Sequence, residues 1–295
     1  MNEERNAEPA AQPAAQPVAK TLSDFDFEAG EVLLLDKPLT WTSFDVVNKV
    51  KGALRLKKVG HAGTLDPLAT GLLILCTGKK TKTIDDIQAQ EKEYTGTLRL
   101  GQTTASADCE TPVLDERSFA HLTPAEIEAA TRPFVGEIQQ TPPLFSAVKI
   151  DGKRAYELAR LGQAADIKPK TVTVTAFELT RIEGAEVDFR IVCSKGTYVR
   201  SLARDLGEAL GCGAHLTKLV RTRIGAYRLE NALTLDDIQA LAPPRPPADP
   251  SRPARERRPA KVRLGLEFYA AQQVEKAAAL TLLAEDLSET PPPTA

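Results

Sequence analysis

One predicted turn contains an acidic residue whose sequence neighbours are typical of a reactive side chain. Residues 60–71 read GHAGTLDPLATG, and their only carboxylate is Asp66, which stands directly before Pro67. Glycines let the backbone approach a ligand closely, and an Asp-Pro pair favours a turn, so we expect Asp66 at the lip of a cleft. The same pattern also fits an aspartate that only shapes its turn by bonding nearby backbone N–H groups. The turn by itself leaves both interpretations open.

Other reactive-group patterns are missing from the sequence. The cysteines form no C-x-x-C pair, and no histidine stands at a metal-ligand spacing from a second histidine or cysteine, so neither a metal site nor a disulfide framework is predicted. No G-x-G-x-x-G motif opens a helix, no G-x-S-x-G motif occurs, and the GKKT stretch at 78–81 lacks the preceding glycine of a phosphate loop. The chemistry left is that of a carboxylate acting as nucleophile or base, with an arginine to keep it ionised and an aromatic ring to hold a flat substrate.

Composition predicts a soluble globular protein. The chain has 295 residues, of which 42% are hydrophobic and 26% charged, and this predicts one large or two ordinary domains. Residues 1–20 contain no apolar signal region, and no run reaches the roughly 18 apolar residues of a membrane span. With no disulfide framework, a cytoplasmic protein is expected. Residues 149–228 hold 15 Lys and Arg against 9 Asp and Glu, so this half could follow a phosphate backbone or form a solvated charged surface.

Apolar and alternating patterns predict the elements that would position Asp66. A helix is predicted to begin at Ser43 as its N-cap, and its last turns carry basic residues that suit either a helix C-terminus or a phosphate contact. Strands are predicted over residues 31–36, 72–76, 94–100, 171–180, 186–193 and 219–229.

A second amphipathic helix is predicted over residues 198–210, with Thr197 as N-cap and Gly211 at its end. Arg200 lies in its first turn, where a cation opposes the helix dipole. We therefore expect Arg200 either to have an anionic partner elsewhere in the fold or to be exposed to solvent.

Residues 139–162 combine prolines, aromatic rings and basic side chains. The pattern predicts a hairpin that turns at Asp151-Gly152, followed by a short helix that contains Tyr156 and is closed by Gly162. Such a segment could lie along an RNA backbone and stack on exposed bases, since sequence-specific RNA recognition favours splayed loops.

Five motifs in order resemble one enzyme family. They are DKPLTWTS, GHAGTLDPLATGLL, KEYTGTLRLGQTTASAD, GEIQQTPPLFSAVKIDGKRAYELARLG and CSKGTYVRSLARDLG, and over residues 31–237 they resemble the bacterial TruB-type tRNA pseudouridine synthases. The resemblance implies isomerisation of uridine 55 in the T-loop of tRNA to pseudouridine, without metal or cofactor. The implied partner is therefore the T-arm of tRNA.

The resemblance also implies roles for particular residues. Asp66 matches the catalytic aspartate, Arg200 matches the arginine paired with it, and Tyr94 matches the tyrosine that stacks on the flipped base. His61 matches the histidine that fills the space left by the flipped nucleotide.

Further substrate-binding residues follow from the same motifs. Lys37 and Pro38 match a loop below the active site, and Asp108 matches an acidic member of the charge network. Leu219 matches an apolar wall of the uracil pocket, and Tyr198 lies beside Arg200 in the CSKGTYVRSLARDLG motif.

The expected fold is α+β, a pseudouridine synthase fold with a mixed, mostly antiparallel central sheet flanked by helices and a cleft across its middle. A monomer is expected, and no PUA-type domain is recognisable near the end of the chain. The predicted divisions are a disordered tail (1–28), a catalytic domain (29–241) with a T-arm-binding insertion (139–163), a Pro/Arg-rich linker (242–263), and a C-terminal helix and tail (264–295).

Two rival functions also fit a single carboxylate in an RNA-binding chain. One is a nucleoside N-glycosylase, which would release free base. The other is an RNA-binding or tRNA-folding module in which Asp66 is structural, and a folding activity could also accompany catalysis. The sequence leaves open whether the aspartate adds to the uracil ring, attacks the ribose or abstracts a sugar proton.

Overall fold

The computed structural model describes residues 24–146, 148–150, 152–161, 163 and 167–244. The predicted C-terminal helix and tail lie outside the described residues, as do most of the predicted disordered tail and most of the predicted linker. None of the helices in the described ranges has the length and apolar character that crossing a membrane requires.

Helices and strands are interspersed along the described part of the chain. The α-helices are α1 (Ser43–Ala53), α2 (Ile84–Ala89), α3 (Pro124–Ala129), α4 (Ala155–Arg160), α5 (Val199–Ala209) and α6 (Leu235–Ala240). The strands are β1 (Val32–Lys37), β2 (Val59–His61), β3 (Ala69–Thr77), β4 (Lys92–Leu100), β5 (Gln102–Thr104), β6 (Val113–Glu116), β7 (Gly136–Gln140), β8 (Lys149–Ile150), β9 (Lys153–Arg154), β10 (Lys170–Glu183), β11 (Glu186–Cys193), β12 (Ala214–Ile224) and β13 (Tyr227–Arg228).

One mixed sheet organises the described part of the chain. Its strand order is β1-β3-β12-β4-β11-β10-β7, with β2 pairing β3 and β13 pairing β12 at the side. All of these pairings are antiparallel except that of β12 with β3, which confirms the predicted mixed, mostly antiparallel sheet. In β12, Arg221 lies opposite Gly71 of β3 and opposite Tyr94 of β4. Strand β12 therefore joins the end of the Asp66 turn to the strand that carries Tyr94.

The patterns of β3 and β4 follow from their surroundings. Strand β3 reads ATGLLILCT and is buried at almost every position, since α1 covers one face and a second apolar cluster covers the other. A strand covered on both faces is expected to be continuously apolar. Strand β4 reads KEYTGTLRL and alternates between buried and partly exposed positions, as a strand with one covered face must.

Helix α5 packs its apolar stripe against the sheet. Val199, Leu202 and Leu206 are buried in the same cluster as Leu98 and Phe189 of the central strands. A Cβ atom on Gly207 would lie 2.1 Å from the backbone nitrogen of Ala214, so only glycine allows this close approach. The predicted helix and its buried face are confirmed.

The N-cap of α1 is one residue earlier than the sequence indicated. Thr42 caps the helix and forms a reciprocal capping box with Asp45. Ser43 is buried, and its hydroxyl exchanges hydrogen bonds with the backbone of Leu65, accepting from N at 2.9 Å and donating to O at 3.1 Å. The prediction of Ser43 as N-cap was wrong because the tertiary fold places that hydroxyl against the turn that carries Asp66.

The N-cap of α5 also differs from the prediction. Tyr198 occupies the cap position and makes no side-chain cap bond, while the Thr197 hydroxyl donates to the carbonyl oxygen of Ser194 at 3.1 Å. The hydroxyl of Thr197 therefore stabilises the preceding turn. The amide nitrogen of Tyr198 instead donates to Gln140 Oε1 at 2.7 Å.

The insertion contains the elements that its sequence predicted. Strands β8 and β9 form a hairpin, and Gly152 in its turn has φ of +83°, a conformation that glycine adopts without strain. Helix α4 follows directly. The backbone nitrogen of Tyr156, in α4, donates to the carbonyl oxygen of Ser146 at 3.0 Å, so the helix folds back on the segment that precedes the hairpin.

Candidate active site

The turn that presents Asp66 connects β2 with β3 and is held from below. Leu65 is buried beneath it and bonded to Ser43, and the carbonyl oxygen of Pro67 accepts a hydrogen bond from Thr40 N at 2.9 Å. The Asp66 side chain itself remains 42% exposed. A rigid support beneath a partly exposed carboxylate is the arrangement that presents a reactive group to a ligand.

Arg200 connects this turn to the other half of the sheet. It is only 4% exposed, and its Nη2 lies 2.9 Å from Asp66 Oδ2 while its Nε lies 3.6 Å from Asp108 Oδ2. The guanidinium also donates to the carbonyl oxygens of Ser106 at 2.9 Å and Phe145 at 2.8 Å. Two carboxylates thus offset the charge that opposes the α5 dipole, which confirms the expectation of an anionic partner. Asp66 directs its carboxylate to an arginine rather than to a backbone N–H of its own turn.

The charges of this network are strongly affected by burial. Burial raises the pKa of Asp108 to about 6, and the neighbouring Arg200 partly opposes the rise. Burial alone would lower the pKa of Arg200, but Asp66 and Asp108 together hold it above its ordinary value. Arg200 therefore carries its charge at every physiological pH, whereas Asp108 changes its charge near pH 6.

Tyr94 lies on β4 in the central cluster and is 9% exposed. Burial raises the pKa of its hydroxyl, and the guanidinium of Arg221 opposes the rise. Arg221 is 1% exposed and was not among the residues that the sequence singled out. Its Nε donates to the Leu72 carbonyl oxygen at 2.8 Å and its Nη2 to the Gly63 carbonyl oxygen at 3.0 Å. The only signal in the sequence was an arginine inside an otherwise strand-like run, which usually indicates an exposed face.

His61 ends β2 and is partly buried. Burial lowers the pKa of its imidazole, and the charge of Arg221 lowers it further, so His61 is neutral at physiological pH. Among the described residues, its buried Nδ1 has no hydrogen-bond partner. His61 is therefore a neutral ring with one buried nitrogen that has no partner among the described residues.

Lys37 bonds the residue that follows Asp66, and Pro38 is its neighbour in the chain. The fully buried Lys37 ammonium donates to the carbonyl oxygens of Pro38 at 2.9 Å, Trp41 at 2.7 Å and Pro67 at 3.3 Å. These bonds tie the end of β1 to the residue that follows Asp66.

The first turn of α5 places Tyr198 beside the insertion. Lys170 Nζ lies 4.5 Å from the centroid of the Tyr198 ring, a cation–π contact, and the Gln140 side-chain amide bonds both the N–H and the carbonyl of Tyr198. Burial raises the pKa of the Tyr198 hydroxyl. Tyr198 thus has a fixed backbone between the insertion and Arg200.

A small, open pocket lies at the junction of β3, β12 and α5. Four of the residues named from the sequence line it together, namely Asp66, Asp108, Arg200 and Leu219. The other named residues do not line it: Tyr94 and His61 are influenced by Arg221, Lys37 bonds Pro38 and Pro67, and Tyr198 caps α5. In the described ranges, no group of three or more His, Cys, Asp or Glu side chains is arranged to hold a metal ion.

Two family models match the chain in succession. Residues 51–199 match the TruB family pseudouridylate synthase N-terminal domain, and residues 200–244 match the tRNA pseudouridylate synthase B C-terminal domain. Curated relatives are similar over nearly their whole length. The chain is 52% identical to tRNA pseudouridine synthase B of Phocaeicola vulgatus over 217 residues, which cover 72% of this chain and 92% of the relative. It is 53% identical to the protein of the same name from Chloroherpeton thalassium over 214 residues, which cover 71% of this chain and 89% of the relative.

Solved structures agree on the fold. The chain is similar to one in an archaeal box H/ACA sRNP Nop10-Cbf5 complex, with a TM-score of 0.54 and 30% identity over 72% of this chain and 54% of that chain. It is also similar to a chain in a Cbf5-Nop10-Gar1 complex, with a TM-score of 0.57 and 32% identity over 78% of this chain and 60% of that chain. The chain thus spans little more than half of these two structures. The sheet order, the family models and these structures confirm the predicted pseudouridine synthase fold, and the chain belongs to the TruB family of pseudouridylate synthases.

Proposed function

We propose that this chain isomerises uridine 55 in the T-loop of tRNA to pseudouridine. The observation that carries the proposal is the ion pair of the partly exposed Asp66 with the buried Arg200 at the mouth of a pocket, in a chain 52% identical to a tRNA pseudouridine synthase B along 92% of that relative. In this isomerisation the C1′–N1 bond breaks and a C1′–C5 bond forms, and the proton lost from C5 is matched by one gained on N1.

Because this chemistry needs access to both N1 and C5, the base must leave the stack. Flipping a nucleotide costs a few kcal/mol, and stacking on an aromatic ring returns about 1 to 3 kcal/mol. In the proposed complex, Tyr94 stacks on the flipped uracil and Leu219 forms an apolar wall of its pocket. His61, neutral at physiological pH, occupies the space that the nucleotide leaves.

Asp66 is the proposed catalytic carboxylate. Its exposure of 42% leaves one side open to a substrate, while Arg200 orients the other side through the 2.9 Å contact. This geometry is compatible with addition to the uracil ring, with attack on the ribose, and with abstraction of a sugar proton. Asp108 sets the position of Arg200 from the far side, and Lys37 and Pro38 support the turn from below.

The insertion at 139–163 is the proposed clamp on the T-arm. Arg200 donates to the carbonyl oxygen of Phe145, and Ser201 Oγ donates to the carbonyl oxygen of Thr141 at 2.8 Å, so the base of the insertion rests on the helix that carries the catalytic arginine. RNA held by the insertion would thereby be positioned relative to Asp66. We further propose that the catalytic domain spans residues 29–241 and acts as a monomer in the cytoplasm.

The test uses the purified protein, an Asp66→Asn variant and an unmodified T-arm stem-loop. Pseudouridine is mapped by carbodiimide treatment and primer extension, and we expect a stop at the loop uridine with the wild-type protein and none with Asp66→Asn. The matched control is Asp115→Asn, because Asp115 is 47% exposed and also pairs with an arginine, Arg117, at 2.7 Å. This control should keep wild-type activity, since its ion pair is exposed.

The same reactions separate the rival functions. A nucleoside N-glycosylase would release free uracil, which chromatography of the reaction mixture detects. An RNA-folding module would leave the uridine unmodified while both wild type and Asp66→Asn accelerate refolding of a misfolded tRNA. A bound stem-loop with no stop in either protein would overturn the proposed isomerisation.

A further inference from the structure

Arg221 occupies an unusual place for a charged side chain. It lies in the interior of β12, between the neighbouring strands β3 and β4, and is 1% exposed. Moving an arginine out of water is costly unless its donors find partners, so a buried arginine in a strand needs a reason in the fold.

The hydrogen bonds of Arg221 bracket the Asp66 turn. Its Nε donates to the carbonyl oxygen of Leu72, six residues after Asp66, and its Nη2 donates to the carbonyl oxygen of Gly63, three residues before it. Gly63 has φ of +97°, and a Cβ atom there would lie 3.5 Å from Arg221 Nη1. The planar guanidinium therefore spans the base of the turn from one side to the other.

The same guanidinium faces Tyr94 and His61. It opposes the burial-driven rise of the Tyr94 pKa, both through its charge and through a side-chain hydrogen bond, and it adds to the lowering of the His61 pKa. The register agrees with this, because position 221 lies directly opposite Tyr94 across the β12–β4 pair. One side chain thus contacts the Asp66 turn and influences both residues that the proposed function places against the substrate.

We propose that Arg221 is a positioning residue that fixes the Asp66 turn relative to Tyr94, and this rests on the proposed function. The five N–H donors of an arginine lie in one rigid plane and can hold two carbonyl groups and a phenol at set distances, whereas a lysine is a flexible point charge. Arg221 acts through the turn and the tyrosine. A displacement of about 1 Å in such a site lowers the rate on the order of 100-fold, although the residue that moves does not touch the substrate.

The test compares Arg221→Met and Arg221→Lys with the wild-type protein. Single-turnover rates are measured with excess enzyme from the release of tritium from C5 of the uridine in the stem-loop, and RNA affinity is measured separately by filter binding. We expect the rate to fall about 30- to 100-fold in both variants, while the Kd for the stem-loop changes less than about threefold. Lysine should not rescue the rate, because its single ammonium group on a flexible stem does not reproduce the fixed planar arrangement of donors that reaches both Leu72 and Gly63. A rate within threefold of wild type in Arg221→Lys would overturn the proposal.

The control variant is Arg223→Met. Arg223 lies two residues along the same strand, is 18% exposed and pairs with Glu91 at 2.8 Å and Glu93 at 3.6 Å. Its loss should lower the midpoint of urea unfolding but leave the single-turnover rate within about threefold of wild type.

Folding is checked by circular dichroism and urea unfolding for every variant. If Arg221→Met is unfolded, Arg221→Lys decides; if both are unfolded at low temperature, Arg221 has a general structural role and the proposal is wrong. A parallel loss of rate and affinity would also contradict it, since a positioning residue changes kcat rather than KM. If the wild-type protein forms no pseudouridine, the proposed function itself fails, which is a separate outcome.

Discussion

Two buried arginines contact the Asp66 turn, and their partners differ. Arg200 extends from α5 and meets two carboxylates, Asp66 and Asp108. Arg221 extends from β12, and its donors bond main-chain carbonyl groups at both ends of the turn. Both side chains are almost fully removed from solvent.

The carboxylate partners of Arg200 affect the charge of the site, whereas the carbonyl partners of Arg221 affect the geometry of the turn. Carboxylates titrate, so the network around Arg200 responds to pH. Removal of any member leaves a buried charge without its partner. Carbonyl oxygens do not titrate, so the hydrogen bonds of Arg221 to the turn set distances, while its charge influences the pKa values of Tyr94 and His61. We therefore expect mutations on the Arg200 side to affect electrostatics and stability together, and mutations on the Arg221 side to affect mainly geometry.

The largest effect is expected from Arg200→Met. This change leaves the buried Asp108 without its cation and removes the orienting contact of Asp66, the proposed catalytic carboxylate. The free energy of unfolding should fall by about 3 to 5 kcal/mol and the single-turnover rate by about 1,000-fold. Urea unfolding and tritium release measure the two quantities.

The control for Arg200→Met is Arg204→Met, one turn along the same helix. Arg204 is 30% exposed and pairs with its neighbour Asp205, so both effects should be small. A single-turnover rate of Arg200→Met within tenfold of wild type would contradict the conclusion that Arg200 acts through the charges of Asp66 and Asp108.

A smaller effect is expected from pH, acting through Asp108. Its pKa is about 6 in the folded protein against 3.8 for a free aspartate, so the folded state holds its proton more tightly than the unfolded state. The stability that this carboxyl contributes is therefore complete below about pH 4 and is lost as the pH rises through 6, by about 3 kcal/mol.

Comparison with Asp108→Asn isolates this contribution. Between pH 4 and pH 7 the unfolding free energy of the wild-type protein should fall relative to that of Asp108→Asn, as measured by urea unfolding across the range. Parallel curves for the two proteins would contradict a raised pKa of Asp108.

The smallest effect is expected from Ser43→Ala, which weakens the support of the Asp66 turn and removes no charge. The buried Ser43 hydroxyl bonds both the N–H and the carbonyl of Leu65, so its loss should cost about 1 to 2 kcal/mol of unfolding free energy. Because Leu65 precedes Asp66, the rate should also fall about 3- to 10-fold.

Thr42→Ala is the matched control for Ser43→Ala. Thr42 accepts the cap bond from Asp45 N at 3.1 Å, so its loss should cost about 1 kcal/mol, yet the turn is untouched and the rate should not change. Equal rates for the two variants would show that Ser43 does not support the turn.

Much of the fold could be predicted because its signals are local. The apolar run of β3, the alternation of β4 and the apolar stripe of α5 each follow from which face an element buries. The need of Arg200 for an anionic partner was also visible, since a cation in the first turn of a helix opposes the dipole. The resemblance then supplied the identity of that partner.

The sequence-based predictions that were wrong have a different origin. Ser43 and Thr197 have the residue types of an N-cap, but tertiary contacts use both hydroxyls elsewhere. Arg221 was not singled out from the sequence, and nothing near it in sequence indicates that Gly63 and Leu72 lie within its reach. Local patterns cannot predict hydrogen bonds between residues that are more than 140 positions apart.

The sequence by itself determined the main strands and helices, because each depends on residue types within one short segment, and it determined the family through five such segments in order. It also predicted the pair of Asp66 and Arg200, which lie 2.9 Å apart. Only the tertiary structure decided which buried polar groups meet. Strand β12 pairs with β3 in parallel and with β4 antiparallel, and this pairing brings Arg221 between the Asp66 turn and Tyr94. Burial then has to satisfy every donor with a partner from a distant part of the chain, and that requirement is imposed only by the folded protein.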